Sequence, residues 1–561
     1  MLFLQDDDCR FVKPGRVDSI DYPDVSVYEM FRRRAEAEPE QIASEFMGKR
    51  TDYRRLLSQV DRLSASLNGM GLAKGERVLV CLPNCTQAAI AFYAISRCGA
   101  ISELIHPLSA KAEMADYISG SGARIAFVLD LFADKFLDYI GNTTLESMIV
   151  VSAKEYLTPV GKAYYHLKAG RKLPDFEVAG VHLFPDLLKQ AGTSEEVVTR
   201  GGDPALILHT GGTSGKAKGA LLSNLNMNAT ALQTVAACGN VDRNHRKMLS
   251  VMPIFHGFGL CIGMHMMLIE GGTCVFVPRF TPDSYAKLIV KKKPNYIAGV
   301  PTLFEHMIRS KSLKKADLSS LKGIFVGGDS LTESLRERME AFFRERNCET
   351  PVREGYGLTE CVTASCLTPR GEHRPGSVGL PFADTLYKIV EAETENEAPV
   401  GTEGEICISG PSVMMGYVGD PEETQKTLRI HGDCRVWLHT GDLGSMDGDG
   451  FVYFKQRLKR VIISSGYNIY PSQIENILDS HPMVSCSCVV GVPDDIRRES
   501  AKAYIVLKKK AEDMETVVDE IKGYCKDHLA LYSVPREFEV LDELPRTLIG
   551  KVAYSALQNR G

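Results

Sequence analysis

The chain has no Cys-x-x-Cys pair and no cluster of cysteine with histidine at metal-site spacing, although it holds 15 cysteines in 561 residues. That excludes the common zinc modules, and an odd count scattered over so long a chain excludes a disulfide framework. The thiols read as reduced and mostly buried. Charge of one sign is also missing: 66 basic residues face 71 acidic ones, a net of −5. No global field draws such a chain to nucleic acid or anionic membrane, so anionic ligands must be held by local devices. The start, Met1-Leu2-Phe3-Leu4 then Asp6-Asp7-Asp8, lacks the basic, apolar-cored pattern of a secretory leader, and a cytoplasmic location is expected. Met248 to Ile269 carries no formal charge and is long enough to cross a bilayer. It contains Pro253, His256, His265 and three glycines, however. A buried strand, turn and helix is expected there, and no membrane span.

What is present is the composition of a globular protein, 44% hydrophobic and 24% charged. The length allows about two to four structural units. Helical spacing over Val25–Ala37, Tyr53–Leu72 and Cys85–Arg97 alternates with apolar runs at Arg77–Leu82, Ala126–Leu129 and Met148–Val151. Continuous apolar strands between helices imply parallel pairing covered on both faces. The alternation returns with strands at 273–277, 296–300 and 323–326 and helices at 283–291 and 331–346. Residues 376–455 change to turn-rich short strands, including 387–390, 404–409 and 451–454, which suggests a small β subdomain. A basic cluster, Lys455-Gln456-Arg457-Leu458-Lys459-Arg460, precedes a compact unit with helix patterns at 471–480 and 515–528 and strands at 488–492 and 501–507. The expected fold is α/β: a large N-terminal domain, 1–456, of stacked α/β subdomains plus a small β subdomain, then a small mobile α+β domain, 457–561. Lys154 to Lys172 mixes aromatic, apolar and basic residues. It reads either as a solvated connecting helix or as a stretch able to touch a membrane surface.

The most informative stretch is Ile207 to Ser223, where an apolar strand leads into Thr210-Gly211-Gly212-Thr213-Ser214-Gly215, then Lys216 and Lys218, then a second apolar run. Glycines let successive N–H groups converge on one point, and hydroxyl and ammonium groups add donors, a combination suited to polyphosphate. The spacing is not Gly-x-x-x-x-Gly-Lys-Ser/Thr, because Ala217 follows Lys216. The segment resembles instead the nucleotide loop of the adenylate-forming superfamily of acyl-CoA synthetases, adenylation domains and luciferases.

Five further segments match that superfamily in order. In Met252-Pro253-Ile254-Phe255-His256-Gly257-Phe258-Gly259 the resemblance makes the aromatic and His256 a wall of the carboxylate pocket, with Gly328 and Tyr356 completing the acyl site. In Glu354-Gly355-Tyr356-Gly357-Leu358-Thr359-Glu360 it packs an aromatic on adenine and gives Glu360, with Thr213, to magnesium on the phosphates. In His439-Thr440-Gly441-Asp442-Leu443, Asp442 would accept from both ribose hydroxyls. In Phe454 to Pro471, Arg457 would contact ribose or phosphate, Lys459 is the pivot, and Ser464-Ser465-Gly466 would line a pantetheine channel. Two residues depart there, Gln456 for the usual glycine or aspartate and Arg460 for the usual acid. Last, Leu544-Pro545-Arg546-Thr547-Leu548-Ile549-Gly550-Lys551 ends in a lysine that the resemblance brings to the α-phosphate.

The reaction implied is R–COO⁻ plus ATP giving acyl-AMP and pyrophosphate, then acyl transfer to CoA. Two anions must meet, so the loop N–H groups, Lys218, magnesium and Lys551 are needed as positive groups. No covalent enzyme intermediate is required, in keeping with the lack of a Ser/His/Asp or Cys/His arrangement. Phe255 to Met264 holds no acid to pair a substrate ammonium, so an acid without an α-amino group is expected. The motifs look most like those of bacterial medium- and long-chain fatty acyl-CoA synthetases; aryl or bile acids remain open as substrates, as do a carrier-protein pantetheine as acceptor and a homodimer as assembly. A nucleotide-binding scaffold and a luciferase-like oxygenase are the other readings.

Overall fold

The computed structural model describes residues 19–109, 111–157, 159–168, 177–189, 197–210, 218–239, 246–391, 394–464, 467–494, 497–509, 513–531, 533–546 and 552–560. Two large sheets dominate. The first runs Gly416–Tyr417, Lys218–Ser223, Pro204–Thr210, Ile101–Leu104, Arg77–Cys81, Ile125–Leu129, Ser147–Val151, Val181–Leu183, and is parallel from Pro204–Thr210 onward. The second runs Leu380–Pro381, Cys366–Leu367, Val352–Tyr356, Gly323–Gly327, Tyr296–Gly299, Lys247–Ser250, Thr273–Phe276, Ile42–Phe46, Lys49–Asp52, and is parallel across its six central strands. The apolar strand runs are explained by this: Ile125–Leu129 is buried at every position, with cores on both faces of its sheet.

Helices fill the space between the two sheets. Val27–Ala37, capped by Ser26, Tyr53–Gly69, capped by Asp52, and the almost wholly buried Thr86–Arg97 share one apolar core with both sheets. Asn224–Cys238 joins them through a Ser223–Asn226 capping box. Outer layers close the far faces: Pro282–Lys292, Pro301–Ile308 and Glu333–Arg344 on the second sheet, Lys111–Ser121 on the first.

The uncharged stretch at 248–269 is a strand, a turn and a helix, but the helix is wide: Phe258–His265 winds as a π-helix before four α-helical residues. Its His265 is fully buried between Tyr93 Oη at 3.0 Å and Asn228 Oδ1 at 2.9 Å. Burial lowers its pKa to about 3, so it is a neutral core residue. No helix among the described residues is long and apolar enough to cross a membrane. The stretch from Lys154 contains a helix, Pro159–Lys168, whose Tyr165 hydroxyl bonds Asp130 at 2.7 Å while Val160 and Leu167 stay exposed.

The turn-rich region forms a five-stranded antiparallel sheet of Leu386–Val390, Gly404–Ser409, Val436–Met446, Leu428–Ile430 and Val452–Arg457. The last strand continues past the expected Phe454 because it stays paired as far as Asp442 opposite Arg457. After one helical turn, Leu458–Arg460, the chain enters a separate sheet. The strands expected at 488–492 and 501–507 are parts of one long hairpin, Val484–Asp494 with Arg498–Leu507, flanked by Pro471–Ser480 and Met514–His528. The fourteen described cysteines are free thiols, eleven of them buried.

Candidate active site

Three of the motifs, and Gly328 with them, leave the carboxyl ends of parallel strands, where open α/β sheets place their ligands. Thr210 ends Pro204–Thr210 and stands opposite Lys218, so the two strands close the 211–217 loop as a hairpin. The 253–259 segment follows Lys247–Ser250, Gly328 follows Gly323–Gly327, and Gly357 follows Val352–Tyr356. Gly328 is exposed at φ +84°, a left-handed conformation that favours glycine. Gly211, Gly212, Thr213, Ser214, Gly215, Ser465, Gly466 and Lys551 lie outside the described residues, as does the side chain of Lys459.

Two motifs are locked together by a backbone contact only glycine permits. A Cβ on Gly257 would stand 1.7 Å from the Val362 carbonyl oxygen, so the 253–259 wall rests directly on the turn that carries Thr359 and Glu360. Val362 itself takes a left-handed φ of +66° to make that turn. On the wall, Phe258 N–H donates to His256 Nδ1 at 3.3 Å, which makes Nδ1 an acceptor and leaves the ring proton to Nε2. Phe255 packs against the His106 ring at 4.2 Å.

The nucleotide-type residues fall into two hydrogen-bonded groups. In one, Tyr417 Oη donates to Glu360 Oε1 at 2.7 Å, the Tyr417 ring lies 5.2 Å from Lys218 Nζ, and that ammonium pairs with Glu423. This group sits on the strand that begins at Lys218, because Gly416–Tyr417 pairs with Lys218–Ser223. The Glu360 carboxylate, held by Tyr417 and within the electrostatic reach of Arg457, is hard oxygen of the kind magnesium binds. In the other group, Asp442 is 1% exposed, accepts from Tyr356 Oη at 2.7 Å and forms an ion pair with Arg457 Nε at 2.9 Å. The turn that presents Asp442 is fixed from behind, since Gly441 N–H donates to Glu405 Oε1 at 2.9 Å and Asp442 N–H to Thr440 Oγ1 at 3.1 Å. Phe454 flanks the Tyr356 ring at 5.6 Å.

Glu354 is drawn elsewhere. Its carboxylate meets Arg336 at 2.9 Å and the Leu331 N–H at 3.1 Å in a buried pocket. Burial pushes its pKa up to about 7 although Arg336 opposes that shift. Its side chain thus holds the Val352–Tyr356 strand to the Glu333–Arg344 helix, and Gly355 continues that strand opposite Leu367. Ser464 is 5% exposed at the end of Ile462–Ser464. Arg460 binds Glu475 at 2.6 Å and covers the Tyr554 ring at 3.7 Å. Gln456 is buried with neither amide atom partnered among the described residues.

The sequence reading missed Tyr417, Glu423, Phe454 and Glu405. Asp420-Pro421-Glu422-Glu423 carries a helix-start signal, an Asp cap with acids in the first turn. Nothing in the sequence, however, tied that helix to Lys218. Two surface clefts, of about 170 Å³ near Lys49 and Tyr156 and about 260 Å³ near Lys247 and Asn295, include none of the site residues.

Residues 31–418 match the family model described as AMP-binding enzyme, and residues 473–551 match that of the AMP-binding enzyme C-terminal domain. A long-chain-fatty-acid–CoA ligase of Bacillus subtilis is 34% identical over 92% of this chain and 90% of its own. A feruloyl-CoA synthase of Amycolatopsis is 29% identical over 94% and 97%. The crystal structure of ATP-bound MatB from Rhodopseudomonas palustris aligns with TM-score 0.83 at 25% identity, over 96% of this chain and 99% of that one.

Proposed function

The chain belongs to the AMP-binding enzyme family, and from that membership we propose that it activates a fatty acid with ATP and passes the acyl group to CoA. It is an AMP-forming acid–thiol ligase whose substrates are a carboxylic acid, ATP and CoA. A carboxylate acylates poorly because its leaving group would be oxide. Attack of its oxygen on the α-phosphorus expels pyrophosphate and turns that oxygen into part of AMP, which a thiol then displaces.

The observation that carries the site reading is the Asp442 group beside the Glu360 group. Asp442, already fixed by Gly441 and Thr440, would offer its carboxylate to the ribose hydroxyls, with Arg457 alongside. The Tyr356 hydroxyl is committed to Asp442, so its ring is what remains for the base. The 211–217 loop, closed by Thr210 and Lys218, would cradle the phosphates, and Lys218 would exchange Glu423 for them. Magnesium held by Glu360 and Thr213 would supply charge neutralisation at the phosphates. His256 and Gly328 would bound the acyl group. Lys551 would bring a positive group to the attacking carboxylate and α-phosphate, Lys459 would be the pivot that withdraws it, and Ser464, Ser465 and Gly466 would line the thiol's path. Free, mostly buried cysteines fit a reducing cytoplasm.

The test is a panel of carboxylic acids scored for pyrophosphate release with and without CoA. Long-chain fatty acids are expected to give the highest kcat/KM and a CoA thioester. Preference for a cinnamate-type acid, the second reading that the feruloyl-CoA synthase relative favours, would overturn the fatty-acid assignment. Release of adenylate with no CoA thioester would overturn free CoA as acceptor.

A further inference from the structure

Behind the turn that presents Asp442, the small β sheet gathers a set of metal-type donors, of which the nucleotide-type site uses only Glu405, through its bond to Gly441. Cys407 and His439 are register partners on neighbouring strands, and Glu405, two residues before Cys407, lies on the same face of its strand. His439 Nδ1 lies 2.8 Å from Glu405 Oε2 and 3.6 Å from Cys407 Sγ, and one donor atom from each of the three residues lies within 4.8 Å of the others. Cys407 is completely buried, and the side chains of His439 and Glu405 are 4% and 12% exposed. On the far side of the ring, His439 Nε2 is 2.9 Å from His431 Nε2, and His431 is itself 4% exposed. Lys388, the cation in register with Cys407, is turned onto the Trp437 ring at 4.1 Å.

We propose that Glu405, Cys407 and His439 form a site for a zinc-class divalent cation, with His431 orienting the histidine ligand. Thiolate, imidazole and carboxylate are the ligands such an ion takes. Bonds of about 2.0 Å to nitrogen and about 2.3 Å to sulfur put those two donors about 3.5 Å apart around a tetrahedral ion. That is the spacing found between His439 and Cys407. The carboxylate sits closer to the ring, as a hydrogen-bonded acid does.

Proton balance is simple. Before loading, Cys407 is a free thiol. Loading releases the thiol proton and leaves one thiolate and one carboxylate, which together neutralise a divalent ion. The His439 ring proton moves to Nε2 and donates to His431 Nε2, the outer-sphere contact that fixes a histidine ligand's tautomer. Glu405 also takes the Gly441 N–H at 2.9 Å, so the cation would stiffen the turn that presents Asp442.

The experiment is titration of the chelator-treated full chain with Co²⁺ alone, followed by absorption. A near-ultraviolet sulfur-to-cobalt charge-transfer band with visible d–d bands, saturating at one equivalent and abolished by Zn²⁺ but not by excess Mg²⁺, is the expected result. Cys407→Ser should lose the charge-transfer band, and His431→Ala should weaken cobalt binding about 10- to 100-fold. Cys434→Ser, at an exposed thiol, should change nothing. If Cys407→Ser loses its native circular dichroism, Glu405→Gln supplies the same test through a weakened affinity. No band in the unmodified chain, a band that survives Cys407→Ser, a band lost in Cys434→Ser, or full affinity in both His431→Ala and Glu405→Gln overturns the proposal. None of these readouts depends on ligase activity.

Discussion

Arg457 and Arg460 stand three residues apart in one basic run and serve different halves of the molecule. Arg457 ends a strand of the small β sheet, keeps its side chain 52% exposed, and turns back onto Asp442. Arg460 is 18% exposed and turns forward, to Glu475 of Pro471–Ser480, the Val489 carbonyl at 3.3 Å and the Tyr554 ring. The turn between them holds the backbone of Lys459. A basic run that looks uniform is therefore divided by its partners: one arginine faces the nucleotide-type site and the other ties the C-terminal unit together. The same contrast accounts for the departure at position 460, because Glu475 supplies the acid that an arginine there requires.

The largest effect is expected at Lys551. If the C-terminal unit supplies charge to the first half-reaction only, Lys551→Ala should slow acyl-AMP formation by at least about 10²- to 10³-fold. Pyrophosphate exchange measures that step, and thioester formation from supplied acyl-AMP should persist; equal loss of both would erase the division of labour. Next is a crossed pair. Arg457→Ala should lower kcat/KM for ATP by about 10²-fold and leave the unfolding midpoint in place. Arg460→Ala should do the reverse, removing a charged hydrogen bond worth about 1.5–3 kcal/mol with little change in ATP kinetics. Calorimetry and steady-state rates on both variants decide it, and parallel behaviour would refute the comparison.

A smaller effect is expected between the two arginines, where Lys459→Pro fixes the backbone of the turn. Thioester formation should fall more than pyrophosphate exchange; a larger fall in exchange would place the pivot elsewhere. The smallest concerns Asp479, which accepts from Ser487 at 2.8 Å beside Glu475. Burial raises its pKa to about 7, with Glu475 and Glu305 of the large domain adding to the shift. A raised folded-state value means that its favourable contribution is fully present below its ordinary pKa of 3.8 and is lost as pH rises through about 7. Asp479→Asn should therefore melt about a degree or two above the unmodified chain at pH 8, and the gap should shrink toward pH 5. A gap independent of pH would show that the carboxyl is not raised.

Much of the architecture was legible because buried parallel strands need apolar side chains on both faces. Ile125–Leu129 and Gly323–Gly327 show this directly. The β hairpin at 484–507 was seen only in fragments, since its outer half alternates with polar residues and carries no apolar run. Glu354 shows the limit for the site. It and Glu360 lie in one motif six residues apart, but Arg336, 18 residues upstream, takes the first carboxylate into the core while Tyr417 holds the second at the hairpin. Only the fold determines which acid meets which partner.

By itself the sequence determined the class of chemistry and the order of its parts: a loop of small, flexible and cationic residues, an acid-bearing turn, a basic run and a terminal lysine. It could do so because backbone freedom and side-chain charge are local properties, readable wherever the chain goes. Tertiary structure alone decided the pairings. It set Lys218 against Glu423, Asp442 between Tyr356 and Arg457, and Glu405, Cys407 and His439 around one point, with His431 on the far side of the His439 ring, in a chain whose sequence shows no cysteine–histidine cluster. Those contacts span up to 205 residues. Sheet register sets them, and register depends on which faces are buried rather than on the spacing of residues along the chain.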